Sequence, residues 1–222
     1  MPDLGGLTWP DVDPAAMLAV PVGSTEQHGP HLPLSTDTDV AVALCSRLGA
    51  ARPDVLVAPA LAYGSSGEHA GFPGTLSIGQ DALEVLLVEL GRSAMLTFGR
   101  MLLVSTHGGN AVAVQRAVHR LRSESREVRA WVPRIEGDPH AGRSETSVQL
   151  ALAPDRVRLD RASAGDTRPI EVLMPLLRER TVRGVSRNGV LGDPAGASAA
   201  EGARLLDSLA ADLIASVREW LE

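Results

Sequence analysis

Four short stretches of this 222-residue sequence hold nearly all of its side chains that can ligate metals or move protons. The first, GSTEQHGPHLPLSTDTD over residues 23–39, carries Glu26 and His28 two positions apart, which extended backbone projects to one side. A carboxylate and an imidazole together offer a hard oxygen and a borderline nitrogen, suited to Zn²⁺, Fe²⁺ or Mn²⁺. Asp37 opens the helical pattern that follows; it either returns to the same place or serves as a helix cap or first-turn acid. The second stretch, THGGN, sets His107 before two glycines that leave room for close approach, or is a glycine-rich turn closed by Asn110 as a cap. The third, HAGRSETS, supplies His140 and Glu145, with a capping arrangement of Ser144 and Glu145 as the competing account. The fourth, GSSGEHAGFPGT, places Glu68 and His69 in a loop longer than a connector needs, though both residues could simply be solvated. Five of the six histidines fall in these stretches; the sixth, His119, lies mid-helix and reads as structural. Glu26, His28, Asp37, His107 and Glu145 together suit two divalent ions bridged by a carboxylate and a water.

These residues need a frame, and the apolar pattern supplies one. Apolar runs over 17–22, 55–59, 101–105 and 128–133 read as buried strands, the first of them uninterrupted. Helical patterns over 37–50, 80–98, 111–123 and 143–152 alternate with them. The alternation predicts a three-layer α/β/α domain around a mostly parallel sheet. The ligating stretches then fall just past strand ends, where open α/β sheets place their sites. Residues 154–192 read as irregular and arginine-rich, and 197–220 as a long amphipathic helix. No repeat or linker divides the chain, so one domain over 1–222 is expected.

Composition narrows the chemistry. All 21 basic residues are arginine, against 27 acidic ones, for a net charge of −6. Without lysine, Schiff-base chemistry and a P-loop are excluded. An acidic chain with six aromatics is a poor platform for nucleic acid. The single cysteine, Cys45, can form neither an internal disulfide nor a thiolate cage and reads as a small buried hydrophobe. The N-terminal stretch lacks a basic region followed by an apolar one, and no apolar run nears the ~20 residues of a membrane span. A cytoplasmic protein with no membrane or nucleic-acid partner is the expectation.

The segments GSTEQHGPHLPLSTDTD, GEHAGFPGTLS, THGGN and HAGRSETS, in that order, resemble the creatininase family of metal-dependent amidohydrolases. The resemblance implies a creatininase-like α/β fold, a binuclear metal centre (Zn, Fe or Mn) and a ring-like homo-oligomer such as a hexamer. By position it implies that Glu26, Asp37 and His107 hold one metal, and that His28 and a bridging Asp37 hold the second. Creatininase has a further glutamate ligand two residues after the histidine of this third strand loop; here that place is Gly109, and Glu145 is the replacement we expect. His140 is the implied acid/base, with Glu145 beside it. Glu68, His69, Asn110 and Arg143 are candidate substrate contacts, with ordinary ion pairing the competing account of Arg143. Creatininase packs its flat substrate with tryptophans near the HAG motif, whereas this chain has Glu136 four residues before His140 and no Trp in 137–153. The run EGDPHAGRSET and the later NGVLGDP look most like the mycofactocin-system branch of the family. That branch implies a peptidase in which a water held between the metals releases a modified C-terminal Val-Tyr dipeptide from a radical-SAM-processed precursor peptide. Two other readings stay open: a deformylase or amidohydrolase acting on a small cyclic or formylamino-pyrimidine nucleotide substrate, and a non-catalytic binding module with a closed metal site.

Overall fold

The structure, a computed structural model, describes residues 3–133 and 137–221. Glu136 lies outside the described residues. Strands β1 (Met17–Val22), β2 (Val55–Val57), β3 (Met101–Ser105) and β4 (Val128–Trp131) form one parallel sheet in the order β2-β1-β3-β4. Helices α1 (Thr36–Ala51), α2 (Gln80–Ala94), α3 (Ala111–Ser123), α4 (Arg143–Leu152), α5 (Ile170–Val185) and α6 (Ala199–Leu221) complete the chain.

Each central strand is apolar on both faces because both faces are covered. Along β1, Met17 and Ala19 pack with Leu44 and Leu48 of α1 and Leu206 and Leu213 of α6. The alternate residues Leu18, Val20 and Val22 pack with Leu83 and Leu87 of α2 and Leu121 of α3. The period of two sorts one strand between two cores. Pro21 is tolerated inside this central strand because β2 is paired only from Met17 to Ala19. Beyond that point its carbonyl accepts from Leu61 N–H, so no ladder bond is lost for want of a Pro N–H.

Three elements end earlier than the sequence-based expectation. β2 ends at Val57, β4 at Trp131 and α2 at Ala94, after which the chain turns so that Phe98 is buried. The larger correction is α5, in a stretch expected to be irregular. Pro175 inside it, and Thr181 at φ 61° interrupting the helix, break the 3.6-residue pattern that would have revealed it. Among the described residues no helix is long and apolar enough to cross a membrane.

The long α6 is held against α4 by close backbone approach. A Cβ placed at Gly202 would fall 1.8 Å from the Ser147 carbonyl oxygen. Elsewhere in a helix, Gly→Ala gains about 1 kcal/mol from propensity. Here the obstruction is backbone and cannot rotate away, so Gly202→Ala is expected to destabilise by roughly 1–3 kcal/mol. A lowered guanidinium midpoint at unchanged slope would show it; a raised midpoint would mean the seam is looser than drawn.

Candidate metal centre

The strand order reverses direction between β1 and β3, and at such a switch point the loops leaving the two strands part and open a crevice. Glu26 and His28 leave β1, His107 leaves β3, and Asp37 sits in the first turn of α1. Thr106 Oγ1 donates to the Asp37 carbonyl oxygen at 2.7 Å and Thr38 Oγ1 to that of Ser24 at 2.8 Å, so the start of α1 is tied to both loops. The N-cap position of α1 is Ser35, leaving the Asp37 side chain to turn inward. Its Oδ1 lies 3.4 Å from His28 Nε2 and its Oδ2 3.3 Å from His107 Nδ1. Ser24 Oγ donates to Oδ2 at 2.6 Å.

Glu26 occupies the floor. His107 Nε2 approaches its Oε2 at 3.1 Å; His69 Nε2 and His140 Nδ1 approach its Oε1 at 3.3 and 4.0 Å. Yet neither Glu26 oxygen, nor His28 Nε2, has a hydrogen-bond partner among the described residues, although all are buried. A buried carboxylate without a partner is costly, by several kcal/mol or so. Three overlapping triads surround these atoms: Glu26, Asp37 and His107; His28, Asp37 and Glu145; Glu26, His28 and His140. The donor set is the mixed oxygen and nitrogen type that divalent transition cations take, and it fits them.

Glu145 joins from the first turn of α4, its Oε2 4.0 Å from His28 Nε2 and 2.6 Å from the Ala141 N–H that donates to it. Ala141 holds φ at 53°, the left-handed region, which turns the chain between His140 and α4. No side chain larger than glycine fits at Gly109, where a Cβ would lie 2.3 Å from both His107 Nε2 and Glu68 Oε1. Glu68 Oε1 stands 3.6 Å from His107 Nε2.

Electrostatics divide the imidazoles into two kinds. Burial resists charge on His28 and His107, but the facing carboxylates overcome it: Asp37 above all lifts His28 to about 10 and His107 to about 9. Burial works against Asp37 too, and the two histidines nonetheless hold it well below the usual range. Burial, reinforced by Asp37, pushes Glu26 up to about 8. Burial also raises Glu145. His69 and His140 are driven the other way by burial and then by the neighbouring His28, His69 to about 3 and His140 well below its ordinary value.

Gln27 is a residue the spacing argument passed over, since strict alternation turns it away from Glu26 and His28. Its Oε1 accepts from Gly29 N–H at 2.9 Å, which fixes the amide orientation. Its Nε2 lies 3.1 Å from the Gly189 carbonyl oxygen, 2.8 Å from His69 Nδ1 and 3.0 Å from His140 Nε2; because that last nitrogen donates to the Gln27 backbone oxygen, the two amide hydrogens go to Gly189 and His69. His69 must therefore carry its proton on Nε2, the atom facing Glu26. The Gln27 backbone oxygen lies 2.8 Å from His140 Nε2, so that nitrogen is the donor and Nδ1 keeps its lone pair toward the cluster. His31 was also passed over; it is buried with Nε2 2.9 Å from Thr146 Oγ1, joining the first and third stretches.

Two candidates are not brought into the cluster. Asn110 is fully buried, its Oδ1 accepting from Ser65 N–H and its Nδ2 donating to the Gly23 carbonyl, so it braces loops. Nor does it cap α3 through its side chain. The Arg143 guanidinium donates to Glu201 at 2.9 Å on the α4–α6 seam. Cys45 is buried, its thiol pushed up to about 12 by burial.

This chain, a parallel α/β sheet with a carboxylate–imidazole cluster at its switch point, belongs to the creatininase family: the family model, described as creatinine amidohydrolase, matches residues 6–217. The chain is 49% identical over 215 residues to the mycofactocin precursor peptide peptidase of Mycobacterium tuberculosis, covering 92% of this chain and 85% of that protein. It is 50% identical over 211 residues to the protein of the same name from Mycolicibacterium smegmatis, with the same coverage. A manganese creatininase superposes with a TM-score of 0.81 at 26% identity, over 98% of both chains.

Proposed function

We propose that the chain is a binuclear metal-dependent peptidase that releases a C-terminal dipeptide from a modified precursor peptide. The observation that carries the metal reading is the pair of unpartnered Glu26 oxygens and the unpartnered His28 Nε2, set in triads that share Asp37. Glu26, Asp37 and His107 would hold one cation, and His28, Asp37 and Glu145 the other. The peptide substrate is supported by the names of the relatives at 49% and 50% identity. A ring-like homo-oligomer belongs to the same reading.

When bound, divalent cations polarise a scissile carbonyl and make water a competent nucleophile near neutral pH. The protein's own residues do the rest. His140 is neutral, its Nε2 proton held by the Gln27 carbonyl, so Nδ1 takes a proton from the attacking water and returns it to the departing amine. The His69 Nε2–H, fixed by Gln27, points into the cluster as a donor to an oxygen on which negative charge develops. The Ala141 N–H holds the Glu145 carboxylate in place at the start of α4.

The direct test incubates the metal-loaded protein with the crosslinked precursor peptide and follows dipeptide release by mass. Release that stops on chelation and returns with Fe²⁺ or Zn²⁺ is the expected result; an intact peptide under all conditions would overturn the reading. Gln27 gives a finer test as a positioning residue. Gln27→Leu is expected to lower kcat by about 10–100-fold with KM little changed, because His69 is no longer held in one tautomer. Imidazole ¹⁵N shifts should then report mixed His69 tautomers, a readout that a purely structural loss would not give.

A further inference from the structure

The metal cluster opens onto a cavity of about 320 Å³ between the starts of α1 and α4 and the middle of α6. Six of its ten lining residues are polar, Asp37 and Glu145 among them; Val40, Val148, Leu205 and Leu209 form its apolar part. Its existence follows from how α6 is seated. At Gly202 and Ser147 the helices α4 and α6 touch backbone to backbone, and the Arg143–Glu201 ion pair and the Ser147 Oγ to Glu201 bond tie the same point. Leu205 and Leu209, one and two turns further along α6, line the cavity beside Val148 of α4. The volume lies at the lower end of the ~300–1,000 Å³ of small-ligand pockets. Glu145 is also one of the more exposed carboxylates of the cluster, its side chain 19% accessible against 1% for Glu26, so this is a side from which the cluster meets solvent.

We propose that this cavity receives the bulky apolar side chain of a residue next to the scissile amide, so that α6 sorts peptides by that side chain. The proposal rests on the peptidase reading. With the amide placed at Asp37 and Glu145, the neighbouring side chain has Val40, Val148, Leu205 and Leu209 to displace water from. A phenyl or isobutyl group gains from that burial. A carboxylate would be desolvated between leucines and valines, which disfavours it.

The test measures binding as well as cleavage. Calorimetry on the metal-loaded protein uses the dipeptides Ala-Phe, Ala-Leu, Ala-Gly and Ala-Asp as probes. Ala-Phe and Ala-Leu are expected to bind at least about tenfold tighter than Ala-Gly and Ala-Asp. Leu205→Trp, which fills the cavity from a half-buried position, should collapse that preference to within about twofold. Ser208→Leu, which narrows it from the exposed side of α6 without entering the core, should do the same if Leu205→Trp folds poorly. Wild-type protein that binds all four alike, or variants that keep the full preference, would overturn the proposal, as would variants that change only the assembly of copies. If the precursor peptide is not cleaved but the dipeptide preference depends on Leu205, the peptidase reading fails and the cavity assignment stands as a pocket for apolar peptides.

Discussion

Asp37→Asn is expected to cost the chain both cations and to lower kcat/KM for the precursor peptide by more than about a hundredfold, the upper range seen when only a residue behind a metal ligand is lost. The reason is its place in two triads at once. One carboxylate oxygen faces His28 and the other faces His107, each at little more than hydrogen-bond distance. Asparagine keeps the shape and one oxygen, but its other terminus is an NH₂ group with no lone pair for a cation. Asp37→Ala would test the same point less cleanly, since it leaves His28 and His107 facing a buried void where their carboxylate stood, a defect of roughly 3–5 kcal/mol. Glu145→Gln gives the contrast, because Glu145 belongs to one triad alone. It is expected to lose one cation per chain and retain the other. Metal per chain by plasma mass spectrometry, beside the melting temperature, checks both variants. An Asp37→Asn protein with two cations and full turnover would remove Asp37 from the bridge.

Asp37 also shows where reading the sequence stops. A helix cap, a first-turn acid and a bridging ligand all want an aspartate at the start of a helix, so residue type and position leave the three alike. What separates them is the approach of His28 and His107 from two other loops, and that is a property of the sheet. The parallel sheet itself was legible, because strands covered on both faces must be apolar without interruption, and MLAVPV and MLLVS are. Gln27 was not legible for the opposite reason. Its amide neither titrates nor binds metal strongly, and its partners His69 and Gly189 lie 42 and 162 residues away. Asn110 stands after a histidine and two glycines, where a substrate contact is easily read, and its burial with both ends of its amide bonded to backbone was not visible in the sequence. In α5, Pro175 and the left-handed Thr181 hide a helix whose buried contacts are few, Leu173 and Val182 among them.

Metal removal is expected to make stability fall as pH rises, and metal addition to reverse that trend. In the metal-free cluster Glu26 stands near 8, His107 near 9 and His28 near 10, each above its ordinary value of 4.5 or 6.5. A group whose folded pKa is raised contributes stability that is whole below its unfolded pKa and lost as pH rises through the folded one. These losses therefore come as pH rises, in the order Glu26, His107, His28, and Glu145, which burial also raises, has the same sign. Asp37, His69 and His140, with lowered values, have the opposite sign, and their contributions are lost only as pH falls. Cations compete with the protons on the raised groups for the same lone pairs, so the deprotonation that weakens the bare chain is what loading requires. Apparent affinity rises with pH, and the stabilisation RT ln(1 + [L]/Kd) rises with it. Melting temperatures with chelator and with Zn²⁺ or Mn²⁺ should therefore diverge between about pH 7 and about pH 9. A difference that stays constant over that interval would place the cations away from Glu26, His28 and His107, because only ligands that hold protons in the bare chain couple loading to pH.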